Sequence, residues 1–144
     1  MKNFKLNEKD ILSNQDWTFP TTTYYGPGRF NEIAKFCEEF DIKNPLIVTD
    51  SGSKDLSFIK KLIALLTKNN IKSDLFYNIS PNPRDDEISK GCDQFKNGSH
   101  DSIIAIGGGS AMDGGKSICL TVNSETPLWD FEFEQPVPKI TKEN

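Results

Sequence analysis

Three consecutive glycines, Gly107-Gly108-Gly109, stand between the apolar run Ile103-Ile104-Ala105-Ile106 and Ser110-Ala111-Met112-Asp113. Without Cβ atoms the backbone there can turn sharply, expose several N–H groups and let a bulky anion approach closely. Where such a turn opens a helix, those N–H groups lie at the positive end of the helix dipole, and a pyrophosphate is their natural ligand. Ser110 and Asp113 also fit an S-x-x-D capping box, which would start a helix with no ligand present. A tight turn from strand to helix wants one glycine and rarely three in succession, which favours the phosphate reading. Gly114 and Gly115 follow in what would be the first turns of that helix, where each costs about 1 kcal/mol against alanine. Close approach of the helix to a sheet or to a bound ligand would offset that cost.

Asp50 is the second candidate. It ends the apolar run Leu46-Ile47-Val48-Thr49 and precedes the flexible turn Ser51-Gly52-Ser53. A carboxylate at such a strand end can accept hydrogen bonds from both ribose hydroxyls of an adenosine and would repel a 2′-phosphate. A turn or helix-capping role for Asp50 is the alternative, and the glycine loop tips the balance toward the ribose. In the standard dinucleotide fingerprint the glycines come first and the acid about 20 residues later. Here the acid comes first, and the G-x-G-x-x-G pattern is missing.

The elements that must carry these residues follow from hydrophobic spacing. Leu46-Ile47-Val48 and Ile103-Ile104-Ala105-Ile106 do not alternate apolar with polar, so they read as strands covered on both faces of a parallel sheet. Ser73-Asp74-Leu75-Phe76-Tyr77 is a third strand, closed by Ser80-Pro81-Asn82-Pro83. Thr21-Thr22-Thr23-Tyr24-Tyr25 is a β-prone fourth ahead of the turn Gly26-Pro27-Gly28. Helical stripes lie between them: Ile33, Cys37, Phe40; Leu56, Ile59, Ile63, Leu66; Ile88, Cys92, Phe95; and Ala111, Gly115, Ile118, Val122. Strands alternating with helices of about three turns predict an α/β fold, an open doubly wound parallel sheet of Rossmann-like type. After Val122 the periodicity lapses, and Pro127, Pro136 and Pro138 break up the rest. Trp129, Phe131 and Phe133 there read as a loop tucked on the core.

Composition narrows the function classes. In 144 residues, 17 Lys and Arg against 21 Asp and Glu give a net charge of −4 and a pI near 5.0, with no electrostatic footprint for nucleic acid or an anionic membrane. At 35% hydrophobic and 26% charged residues, with mean hydropathy −0.52, the chain is polar yet able to build one core. The single histidine, His100, excludes any site in this chain that needs two imidazoles, and it reads as a surface loop residue. Cys37, Cys92 and Cys119 lie far apart without C-x-x-C spacing, so each is expected on the buried side of a helix as a small apolar residue. The N-terminus lacks an apolar signal core, and a cytoplasmic setting is the expectation.

Phe19-Pro20-Thr21 leading to Tyr25-Gly26-Pro27-Gly28, then Pro45-Leu46-Ile47-Val48-Thr49-Asp50, Pro81-Asn82-Pro83, and the stretch from Asp101 through the glycines to Lys116 resemble the iron-containing (group III) alcohol dehydrogenases. The likeness runs from about Trp17 onward, and G-G-G-S-x-x-D-x-x-K is its most specific part. It implies the dehydroquinate synthase-like N-terminal domain, with residues 1–16 an extension and 17–144 a dinucleotide-binding α/β domain incomplete at its C-terminal end. Gly107, Gly108, Gly109 and Ser110 would hold the pyrophosphate of NAD. Asp50 would hold the adenine ribose, Asp113 would lie near the nicotinamide half, and Lys116 would support the loop.

Members of that family continue into an all-helical domain supplying one aspartate and three histidines to a divalent metal, iron or sometimes zinc. That C-terminal helical domain is absent from this sequence, so the resemblance implies no metal ligand and no catalytic residue here. It implies the NAD-binding half of a dehydrogenase for a small alcohol or aldehyde, inactive by itself, and a homodimer through the Thr22–Tyr25 strand. A non-catalytic nucleotide- or phosphate-binding module is the competing reading. A dehydroquinate synthase-like lyase is another, although such synthases usually carry Gly-Phe where this chain has Gly115-Lys116.

Overall fold

The structure, a computed structural model, describes residues 21–132. The expected extension over 1–16, Phe19, Pro20, Phe133, Pro136 and Pro138 lie outside the described residues. Three parallel strands, β1 (Pro45–Asp50), β2 (Asp74–Ile79) and β3 (Ser102–Ala105), form a sheet in the order β2-β1-β3. Four helices accompany them: α1 (Ile33–Glu39), α2 (Ser57–Lys68), α3 (Asp85–Asn97) and α4 (Gly109–Thr121). Strand β1 is central, pairing Ile47 with Leu75 on one side and Ile104 on the other, and its residues Pro45 through Thr49 are all buried. This burial on both faces explains its unbroken apolar sequence.

Alternate residues of β1 feed two cores. Leu46 and Val48 pack with Phe76, Ile79, Ile88 and Ile118 on the face covered by α3 and α4. Ile47 packs with Cys37, Leu62 and Leu66 on the face covered by α1 and α2. Helices on both faces of an open parallel sheet make the doubly wound architecture. In a 2-1-3 strand order the chain leaves β1 toward one side and later returns to the other. The carboxyl ends of β1 and β3 therefore border a topological switch point, where such folds bind ligands.

Helix α4 approaches the sheet through its glycines. An added Cβ on Gly115 would collide with the Cβ of Ala105, and one on Gly114 would come within 2.8 Å of Ile79 Cδ1. Of the two uses open to these glycines, the sheet takes both.

Several expectations are corrected. Thr21–Tyr25 forms no strand, because among the described residues no backbone pairs with it. It is instead held by its aromatic ring, with Tyr24 4.4 Å from Phe36 and Arg29 5.1 Å over the Tyr24 ring. Leu56 and Phe40 are exposed at helix ends, and Leu62 takes the buried place in α2. Cys37 is buried as expected, Cys92 only partly, and Cys119 is exposed. The inner face of α4 is filled by Ala111, Gly114, Gly115 and Ile118, which turns position 119 outward. Trp129 is 69% exposed rather than tucked away, while Leu128 in the same 3-10 turn packs on the core.

Candidate functional site

The ends of β1 and β3 are tied together one residue beyond their ladder. The Ile106 N–H donates to the Val48 carbonyl at 2.9 Å, and the buried Thr49 hydroxyl donates to the Ile106 carbonyl at 2.7 Å. This clip sets Gly107 directly beside Asp50. Gly107 has φ +143, and an added Cβ would lie 2.8 Å from Ala111 Cβ and 3.1 Å from Asp50 Oδ2. Glycine is required here both for its backbone angle and for lack of room.

Gly108 and Gly109 are different. An added Cβ at either would meet no atom within 4 Å, so the space above them is open. Gly108 is the N-cap of α4, no side chain caps the helix, and the first intrahelical bond reaches from the Met112 N–H to the Gly108 carbonyl. The alternative reading, a Ser110–Asp113 capping box, is therefore not formed, because the helix begins before Ser110. The amides of Gly109, Ser110 and Ala111 precede the first i−4 acceptor and point past the helix start. A cleft of about 450 Å³ opens at this corner, lined by Phe30, Ser53, Phe58, Ile106, Gly107 and Gly108.

Asp50 stands beside Gly107 at this corner. Its Oδ1 accepts from the Gly52 N–H at 3.0 Å, and its Oδ2 accepts from the Ser53 hydroxyl at 2.7 Å. Asp50 and Gly107 thus share one corner at the switch point. Asp113 and Lys116 are exposed on α4, a rise of about 6 and 10 Å from Gly109 along the helix axis. The spacing had not singled out Thr49 or Ser53. Thr49 reads as a β-branched filler of its strand, whereas Asp50-Ser51-Gly52-Ser53 does carry the signal of an Asx-type turn.

A neighbouring device steadies the end of β2. The Glu87 carboxylate, in the first turn of α3, accepts from the Ser80 N–H, the Ser80 hydroxyl and the Arg84 N–H at 3.1–3.2 Å, and Arg84 Nη2 lies 3.4 Å from its other oxygen. Burial, the largest single influence, pushes the carboxyl up. The bonds from Ser80 and Arg84 and the guanidinium charge together outweigh burial and hold it below its usual range.

The opposite end of the sheet has a larger cavity, about 810 Å³, among Asn44, Thr67, Asn70, Lys72 and Asp74. It lies at the amino ends of the strands, away from the switch point, and the corner by the glycines carries the better case for a ligand. His100 is there too, and it is buried, not on the surface. Its Nδ1 lies 2.9 Å from the Asn44 carbonyl, and its Nε2 lies 3.4 Å from Asp74 without the alignment of a hydrogen bond. Because a carbonyl can only accept, Nδ1 carries the proton. Among the described residues no group of three or more His, Cys, Asp or Glu side chains is placed to hold a metal ion, and no helix is long and apolar enough to cross a membrane.

Comparison with known proteins matches residues 20–143 to the model of the iron-containing alcohol dehydrogenases. The chain is 34% identical over 113 residues to alcohol dehydrogenase 4 of Schizosaccharomyces pombe, covering 78% of this chain and 27% of that protein. It superposes on the crystal structure of a 1,3-propanediol oxidoreductase with TM-score 0.75 at 28% identity, covering 81% of this chain and 30% of that one. It is similar as well to sulfoacetaldehyde reductase from Bifidobacterium kashiwanohense in complex with NAD+, with TM-score 0.73 and 25% identity over 85% of this chain and 32% of that one. The chain spans between 27% and 36% of the length of the curated relatives it matches.

Proposed function

This chain belongs to the iron-containing alcohol dehydrogenase family, and from that premise we propose that it is the NAD-binding part of a metal-dependent alcohol dehydrogenase. The observation that carries the proposal is the open corner at the β1/β3 switch point. Gly108 and Gly109 face empty space, and α4 begins without a side-chain cap beside the Asp50 carboxylate. NAD bound there would supply the hydride acceptor for a small primary alcohol or diol, and its reduced form the donor for the aldehyde. The amides of Gly107, Gly108, Gly109 and Ser110 donate hydrogen bonds to the pyrophosphate at the positive end of the α4 dipole. Asp50 accepts from the ribose hydroxyls and disfavours a 2′-phosphate. Asp113 lies toward the nicotinamide half, and Lys116 supports the loop from the next turn of α4.

The described residues do not fit the iron for which the family is named. The one histidine of the chain is buried at the far end of the sheet against a backbone carbonyl. No step of the reaction is therefore assigned to a metal held by these residues. Residues 17–144 are assigned to this dinucleotide-binding domain, and a cytoplasmic setting accords with three cysteines that form no disulfide. The Thr22–Tyr25 segment, which pairs with no strand among the described residues and leaves Tyr25 94% exposed, supports pairing with a second copy, which sedimentation velocity across a concentration series tests.

Titrating the chain with NADH while following nicotinamide fluorescence tests the assignment. Saturable enhancement is expected, and no change at millimolar cofactor would contradict it.

A further inference from the structure

Asp50 is held in place by its own turn. An ionised carboxylate offers about four acceptor sites. One on Oδ1 is filled by the Gly52 N–H, and one on Oδ2 by the Ser53 hydroxyl. Two remain, one on each oxygen, and a vicinal diol has two hydroxyls to fill them. Oδ2, the oxygen that Ser53 grips, is also the one 3.1 Å from where a Cβ on Gly107 would sit, so the gripped edge of the carboxylate faces the glycine loop. Ser53 also lines the cleft at that loop.

We infer that Ser53 is a positioning residue for cofactor choice: its hydroxyl fixes the Asp50 carboxylate so that the two remaining acceptor sites address the 2′,3′-diol of an adenosine. Both bonds that orient the group are charge-assisted, and the Ser53–Asp50 bond is the one made by a side chain and the one that fixes Oδ2. Without it only the Gly52 N–H on Oδ1 holds the carboxylate, and Oδ2 can swing about that remaining bond. A diol then loses an aligned acceptor, and a 2′-phosphate meets a charge that can swing away. NAD binding weakens and NADP binding suffers less, so discrimination falls.

This inference rests on the NAD reading, and one experiment separates the two. Dissociation constants for NADH and NADPH are measured by nicotinamide fluorescence on the 144-residue chain and on Asp50→Gly, Ser53→Ala and Ser53→Thr, with circular dichroism checking the fold of each. Asp50→Gly should narrow the preference for NADH. Ser53→Ala should move it the same way by about threefold or more, given the strength of a hydrogen bond to a charged group, and Ser53→Thr, which keeps the hydroxyl, should restore it. A purely structural role for Ser53 would weaken both cofactors alike and leave their ratio unchanged, which overturns the inference while Asp50→Gly still narrows it. An unaltered chain that binds neither cofactor at millimolar concentration overturns the NAD reading itself.

Discussion

At Gly108 and Gly109 the polypeptide keeps a space that its own packing does not use. Gly109→Val should therefore fold as well as the parent chain, since valine is better tolerated than glycine in a helix. It should nevertheless weaken NADH binding by about tenfold or more, equivalent to about 1.4 kcal/mol, as read by nicotinamide fluorescence. Unchanged affinity would mean that no ligand approaches the backbone there. Gly107 is the converse case. With φ +143 and Ala111 and Asp50 crowding the vacant Cβ position, Gly107→Ala should destabilise the fold by about 1–3 kcal/mol in urea unfolding. The glycine run and Asp50 were legible as candidates because a turn from strand to helix rarely wants three glycines in succession and because a carboxylate ends the other apolar run. Which glycine serves the fold and which faces open space was not, since that depends on where Asp50 and Ala111 come to rest in space. Ser53 was hidden for the same reason, because a serine in a polar turn is unremarkable until its partner is known.

Among the elements, α4 is the most constrained by its neighbours. Gly115 lies against Ala105 of β3, so Gly115→Val must push helix from sheet. A loss of about 1–3 kcal/mol is expected from overpacking, measured by the urea midpoint. Helix α3 is instead constrained electrostatically. Glu87 has its folded carboxyl held below the usual range near 4.5, so its contribution to stability is fully present above that range and is lost as pH falls through the lower folded value. In Glu87→Gln this part of the acid sensitivity should vanish. Thermal unfolding of both proteins between pH 3 and 6, about the ordinary carboxylate range, should show two curves converging toward acid, and parallel curves would contradict the account. The three strands and four helices were readable because most of their apolar spacing matches the faces they bury, the misplaced positions being Phe40 and Leu56 at helix ends and Leu62 within α2. Thr21–Tyr25 misled because β-propensity is local while a strand needs a partner, and none lies beside it among the described residues. The Ser110–Asp113 box, the alternative reading of the loop, does not form because glycine opens the helix earlier without a side-chain cap.

For the whole molecule, two cores on either face of β1 make a unit whose thiols report its integrity. Burial above all, then the charge of Asp101, raises the Cys37 thiol, against a smaller opposing backbone hydrogen bond, while Cys119 is exposed. Alkylation followed by mass spectrometry should modify Cys119 within the native state and Cys37 only on unfolding. Rapid labelling of Cys37 in native buffer would show that the α1–α2 face does not close. The doubly wound plan was predictable from alternating strands and helices, but the 2-1-3 order was not, because no local pattern states which edge of β1 each strand joins. That order brings residue 50 and residues 107–110 to one corner across two crossovers, and the functional account depends on it. The most direct measurement is a ¹H–¹⁵N spectrum of the labelled chain titrated with NADH. The account predicts that the amides of Gly107, Gly108, Gly109 and Ser110 shift furthest and saturably, with Asp50 and Ser53 following the same isotherm. Shifts confined to the amino ends of the strands, around Asn44, Asp74 and His100, would contradict it.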